Sequence, residues 1–68
     1  MSEINKGDRF ITKDKRDEGR IVEVREVRLV GEKFLIETEV HPNNPSAVGR
    51  KSVVKRDTLR HRYERISR

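Results

Sequence analysis

One ten-residue run, Ile-Val-Glu-Val-Arg-Glu-Val-Arg-Leu-Val, constrains the fold more than any other stretch of the chain. Five of its residues are β-branched, which favours a strand over a helix. In a regular strand Val22 and Val24 would share one face, whereas Val27 and Leu29 would share the other. A β-bulge near residues 25–26 would bring all four to the same face and would also increase the twist. We therefore predict a long, bent strand.

The other apolar residues fall in short groups between turn-forming residues, which is typical of a small all-β protein. We predict strands at residues 9–13, 20–30, 33–40 and 50–55, with the second and third forming a hairpin around residues 30–33. In the third strand, alternation points Phe34, Ile36, Thr38 and Val40 to one face. A charged loop at residues 14–19 and an irregular, proline-containing connection at residues 41–49 separate these elements.

The C-terminal segment allows two interpretations. Leu59, Tyr63 and Ile66 are spaced by four and three residues, which is helical periodicity, and Asp57 could cap such a helix. The alternative is a single 3₁₀ turn over residues 57–60 followed by a short strand at residues 63–67. We favour the turn and strand.

Composition limits the protein to one small domain, residues 1–68, with 21 hydrophobic side chains available for a core. A 43% charged composition raises the question of disorder, but the periodic placement of the apolar residues argues for folding. The absence of cysteine excludes disulfides, zinc-finger spacing and thiol nucleophiles. Since no apolar run approaches the length of a membrane span or a signal-peptide core, we expect a soluble, cytoplasmic protein.

No constellation of residues indicates catalysis. The four serines and the two histidines, His41 and His61, show no nucleophile motif and no metal-ligand spacing, and no glycine-rich phosphate loop is present. The chain is too short to form a large cleft around a pair of carboxylates. We therefore expect no enzymatic activity, no cofactor and no metal.

The positive charge is concentrated in the last third, where residues 41–68 carry eight basic and two acidic side chains. Such a surface would attract polyanions. The candidate nucleic-acid-binding residues are Arg50, Lys51, Lys55, Arg56, Arg60, Arg62 and Tyr63, with Lys15, Arg16 and Arg20 from the first loop. The loop residues, and Lys13 beside them, join this set if the loop folds back beside the last strand. Tyr63 is the one plausible platform for base stacking, so we expect weak, backbone-type binding of DNA or RNA.

Two alternatives compete with nucleic-acid binding. The cations could form a plain solvated face, with the acidic residues of the strands pairing with arginines across the sheet. The protein could also be a protein–protein interaction module, with the 41–49 loop presenting Ala47 and Val48 to a partner. Attachment to a membrane surface is disfavoured because no amphipathic segment accompanies the basic charges.

Several short motifs carry a resemblance to a known fold family: Gly7-Asp8-Arg9-Phe10, Glu18-Gly19-Arg20-Ile21-Val22-Glu23-Val24, and Val53-Val54 followed by Leu59 and Tyr63. This order is similar to the SH3-like small β-barrels, including their KOW and Tudor-like members. The resemblance implies a five-stranded SH3-like barrel with a 3₁₀ turn before the last strand, and nearly the whole chain is covered. The aromatic cage of Tudor domains that read methylated lysine has no counterpart here.

The C-terminal pattern Gly-Arg-Lys-Ser-Val, then Leu-Arg, then Arg-Tyr also resembles short proteins of actinobacteria and their phages. That likeness implies, as the alternative function, a phage-encoded module that acts on a host protein.

Overall fold

The computed structural model describes residues 4–28 and 32–67. Its strands are β1 (Arg9–Thr12), β2 (Ile21–Arg28), β3 (Lys33–Val40), β4 (Lys51–Lys55) and β5 (Tyr63–Ser67). Short 3₁₀ helices occupy Lys15–Asp17 and Pro45–Ala47, and the helix α1 spans Arg56–Arg62. All paired strands are antiparallel, in the order β4-β3-β2-β1-β5, and the sheet curls strongly into a half-barrel. The predicted all-β, five-stranded fold is confirmed.

The predicted bulge lies in β2. The register of β2 against β3 shifts between Val24 and Glu26, so that Arg25 is an extra residue without a partner in the ladder. As a result Val22 and Val24 are both fully buried, and Val27 packs against the same core. The bulge therefore keeps the apolar residues on one face while the strand bends.

Arg25 also offsets a repulsion on the outer face of the sheet. Glu23 and Glu37 are directly opposite each other on β2 and β3, and like charges in that position destabilise a sheet. The Arg25 guanidinium reaches both, with Nη1 3.1 Å from Glu23 Oε1 and Nε 3.1 Å from Glu37 Oε1. The extra residue thus contributes a cation to the place where two carboxylates meet.

Four residues of β3 were predicted to point to the same face, and this is correct for three of them and wrong for the fourth. Phe34, Ile36 and Thr38 are buried, but Val40 is 44% exposed. The register shifts a second time, because Ile21 pairs with Val40 whereas the next residue of β2 pairs with Thr38. This shift turns Val40 to the outer face together with Ile21. The predictions for Leu29 and for the turn of the hairpin lie outside the described residues.

The segment before the last strand is an α-helix rather than the predicted 3₁₀ turn. Its last bond runs from the backbone N–H of Tyr63 to the carbonyl of Leu59, four residues back, which is α-helical spacing. The helix places Leu59, which is fully buried, in the core beside Phe10 and Phe34. The final strand at residues 63–67 is confirmed. Within the described residues no helix is long and apolar enough to cross a membrane.

The first loop is packed against the connection between β3 and β4 through a glycine. Gly19 has a φ of +88°, which favours glycine, and a Cβ at this position would lie 2.9 Å from Pro42 Cγ. Gly49 has a similar φ of +92°, but a Cβ there would meet no heavy atom within 4 Å. An alanine at position 49 would therefore strain only the backbone, whereas an alanine at position 19 would also crowd Pro42.

We expect Gly49→Ala to lower the free energy of unfolding by about 1–2 kcal/mol, the cost of the left-handed backbone alone. Gly19→Ala should lower the free energy of unfolding by about 1–3 kcal/mol more than Gly49→Ala does, because the added Cβ also overpacks against Pro42. Urea denaturation followed by far-UV circular dichroism measures both. Equal losses of unfolding free energy in the two variants would show that the first loop is not tightly packed against Pro42.

Candidate functional site

A cleft of about 390 Å³ opens where the first loop meets the end of α1 and the start of β5. We call it the basic cleft, because four cations and only two carboxylates line it. Its lining residues are Thr12, Lys13, Asp14, Arg16, Asp17, Arg20, His61, Arg62 and Tyr63. Residues far apart in the sequence, from the first loop and from the C-terminal third, thus share one concave surface.

Strand pairing brings the two walls of the cleft together. Thr12 at the end of β1 is opposite Tyr63 at the start of β5. Immediately beyond this pair, the backbone N–H of Lys13 donates to the carbonyl of Arg62 over 2.9 Å. The first loop therefore leaves β1 beside the end of α1, and this is the position that the sequence analysis required for the loop cations to join those of the tail.

The 41–49 connection supports the loop from the other side. His41 is only 7% exposed, and its Nε2 lies 3.3 Å from Asp17 Oδ1. Arg20 donates its Nε–H to Thr38 Oγ1 over 3.2 Å. These contacts hold the first loop against the end of β3 and the start of the 41–49 connection.

Within the loop, Asp14 forms hydrogen bonds and an ion pair with Arg16. Asp14 Oδ1 accepts a 2.9 Å hydrogen bond from the backbone N–H of Arg16, which caps the 3₁₀ helix, and Oδ2 lies 3.3 Å from Arg16 Nη2. The backbone hydrogen bond, and next the side-chain one, hold the pKa of Asp14 below its ordinary value. The same side-chain contact raises the pKa of Arg16. The charge of Arg16 is therefore partly offset.

Three other cations of the basic cleft are outside such ion pairs, although Arg62 is close enough to Asp14 to help lower the pKa of its carboxyl. Within residues 4–28 and 32–67, Lys13, Arg20 and Arg62 form no ion pair. On the outer face of the sheet the opposite holds: Arg9 lies 3.0 Å from Glu39, and Arg28 lies 2.7 Å from Glu26. The sequence had also suggested that the arginines pair with acidic residues of the strands. This holds for the arginines of β1 and β2 but not for those of the cleft.

A second groove, of about 310 Å³, adjoins the basic cleft and shares Lys13 and Tyr63 with it. Arg60 and Arg65 line this groove. Arg65 is tied to the buried carboxylate of Asp8 at 3.1 Å, and its guanidinium lies over the ring of Phe10. The groove extends the concave surface along β5.

The remaining candidate residues lie elsewhere. Arg56 lies over the ring of Phe34, with its Nε 3.5 Å from Glu32 Oε1. Lys51 and Lys55 are on β4, at the opposite edge of the sheet from β5. Two further candidates are exposed: Arg50, immediately before β4, and Lys15, next to Arg16 on the first 3₁₀ helix.

The basic cleft also contains residues that the sequence analysis did not assign to it, namely Thr12, His61 and the two carboxylates of the first loop. Only the strand register that places Thr12 opposite Tyr63 could have indicated them. In the described ranges no three histidine, aspartate or glutamate side chains are close enough to hold a metal ion.

One of the two residues that the 41–49 connection was expected to present is buried. Ala47, which was expected to face a partner, is only 5% exposed, whereas Val48 is exposed. A 3₁₀ helix at Pro45–Ala47 turns Ala47 inward.

No protein-family model, no curated protein and no solved structure matches this chain. The residues of the cleft are therefore the basis for inferring its function.

Replacing Asp14 with Asn tests the electrostatics of the cleft. Asn retains the capping oxygen but removes the charge that offsets Arg16. We expect affinity for a polyanion such as heparin to rise about two- to fivefold, the range of one exposed charge interaction. Asp57→Asn, which makes the same charge change on α1, is the control. Equal gains in the two variants would mean that net charge alone governs binding.

Proposed function

We propose that the basic cleft binds the sugar-phosphate backbone of nucleic acid weakly and with little sequence preference. The observation that supports this proposal is the set of three cations, Lys13, Arg20 and Arg62, that line one cleft and form no ion pair within residues 4–28 and 32–67. Cations at a concave surface concentrate the local field and attract phosphate groups. The proposed role is binding without catalysis.

Backbone contact is favoured over base recognition. Sequence-specific recognition of single strands requires exposed aromatic platforms. Tyr63 is half-buried and packs against the core, so only part of its ring is available to a base. His61 is exposed but is a smaller platform. The cleft therefore suits phosphates better than bases.

The assignment to the SH3-like barrels is part of the same proposal. It is supported by the antiparallel order in which β1 to β4 follow one another and β5 returns beside β1, together with the entry motif Gly7-Asp8-Arg9-Phe10. The KOW or Tudor-like relationship, and the kinship with short actinobacterial and phage proteins, are proposed from the sequence pattern alone.

The salt dependence of DNA binding tests the number and position of the contacts. If three cations neutralise phosphates, the logarithm of the association constant should fall with the logarithm of salt concentration with a slope of about −3 for duplex DNA. Arg62→Gln should reduce the slope by about 1. Fluorescence anisotropy with a labelled 20-base-pair duplex measures both.

Lys51→Gln is the matched control, because it removes one exposed cation from the opposite edge of the sheet. We expect its affinity and slope to equal those of the unmodified protein. The proposal fails if the protein shows no binding at low salt, or if Lys51→Gln weakens binding as much as Arg62→Gln does.

A further inference from the structure

The strand β4 has one open edge. It pairs with β3 on one side, and among the described residues no strand pairs with it on the other. Lys51, Val53 and Lys55 are all exposed. An open edge presents backbone donors and acceptors to any extended chain that can align with it.

Two hydrogen bonds fix which backbone groups of β4 face outward. The Thr38 N–H donates to the Arg50 carbonyl over 2.9 Å, and the Arg56 N–H donates to the Glu32 carbonyl over 3.2 Å. The register between these two bonds is unbroken. In an antiparallel ladder, alternate residues direct both backbone groups at the partner strand. The even-numbered residues of β4 therefore bond to β3, and the odd-numbered ones direct their backbone groups to the open side.

The same odd-numbered residues carry their side chains on the outer face of the sheet. They form a row of cation, apolar residue and cation: Lys51, Val53 and Lys55. Val53 is 45% exposed. One set of residues thus combines free backbone groups with an alternating pattern of side chains, and these are the two elements by which an added strand is recognised.

Two lysines face each other at one end of this row. Lys55 is directly opposite Lys33 on β3, and within residues 4–28 and 32–67 neither forms an ion pair. Like charges in this position destabilise a sheet. The comparable pair of glutamates on β2 and β3 has Arg25 between its members, whereas no carboxylate of the described ranges is within ion-pair distance of either lysine.

We propose that the open edge of β4 binds an extended peptide segment of another protein as a sixth strand. Its side chains opposite Lys51, Val53 and Lys55 are acidic, apolar and acidic in turn. A second copy of this chain is a poorer match, because antiparallel pairing of β4 with itself about Val53 places Lys51 opposite Lys55. This surface is separate from the basic cleft, so the proposal goes beyond nucleic-acid binding and does not depend on it.

The probe is a fluorescein-labelled peptide, Thr-Glu-Thr-Val-Thr-Glu-Thr, titrated against the full chain by anisotropy. We design the peptide for antiparallel pairing, the arrangement of all paired strands in this sheet, so that its two glutamates are opposite Lys55 and Lys51. In this antiparallel complex the N–H groups of its two glutamates point to β4, and those of the two inner threonines point away. N-methylation of both glutamates should weaken binding at least about tenfold through two lost hydrogen bonds. N-methylation of the inner threonines should leave the affinity nearly unchanged.

Charge variants test the side-chain pattern. The double variant Lys51→Glu, Lys55→Glu should lose binding to this peptide and gain binding to a version with lysine in place of glutamate. The double variant Lys6→Glu, Lys15→Glu makes an equal charge change at two exposed lysines outside β4, and it should bind the original peptide as the unmodified protein does. Far-UV circular dichroism verifies that each variant retains its fold.

Three outcomes would overturn the proposal. Equal binding of the two N-methylated peptides would mean electrostatic adsorption without strand pairing. A dimer in sedimentation velocity that dissociates on Val53→Lys would mean that a second copy occupies the edge. Displacement of the peptide by duplex DNA, together with weaker DNA binding by the β4 double variant than by the Lys6→Glu, Lys15→Glu double variant, would assign the β4 lysines to the nucleic-acid surface.

Discussion

The architecture depends on one extra residue in β2. By inserting Arg25 into the ladder, the chain keeps Val22, Val24 and Val27 on the core side of a strand that bends. Without that shift, Val27 would face solvent, and the small core would lose a packing residue that a chain of 68 residues can hardly replace. The inserted side chain also joins two glutamates that would otherwise repel each other. A curled sheet with two edges, β4 and β5, is the result.

This curvature separates two electrostatic environments. On the outer face of β1 to β3, arginines and glutamates neutralise one another at close range. Toward the two edges lie five cations that form no ion pair within residues 4–28 and 32–67: Lys13, Arg20 and Arg62 near β5, and Lys51 and Lys55 on β4. The same excess of positive charge therefore supports two different proposals. A concave cleft favours phosphates, whereas an open strand edge with an alternating pattern favours an extended acidic peptide.

Much of the fold was predictable because the alternation of apolar residues indicates which face of a strand each residue occupies. The change of phase after Val24 indicated the bulge, and the proline-containing connection marked the end of β3. The second register shift, which turns Val40 outward, was not predictable, because the alternation from Phe34 to Val40 is unbroken in the sequence. For the site, the sequence grouped the loop cations with Arg62 only on the condition that the first loop folds back beside the last strand. The sequence grouped Lys55 with Arg62, but α1 carries the chain from one edge of the half-barrel to the other between them.

Amide chemical-shift mapping of the ¹⁵N-labelled protein, titrated with a short DNA duplex, tests most directly whether the cleft is a distinct binding surface. We predict that the perturbed amides cluster in residues 12–20 and 60–64, while those of Lys51–Lys55 stay unchanged. Perturbations centred on β4, or spread evenly over all exposed cations, would contradict the assignment of the cleft.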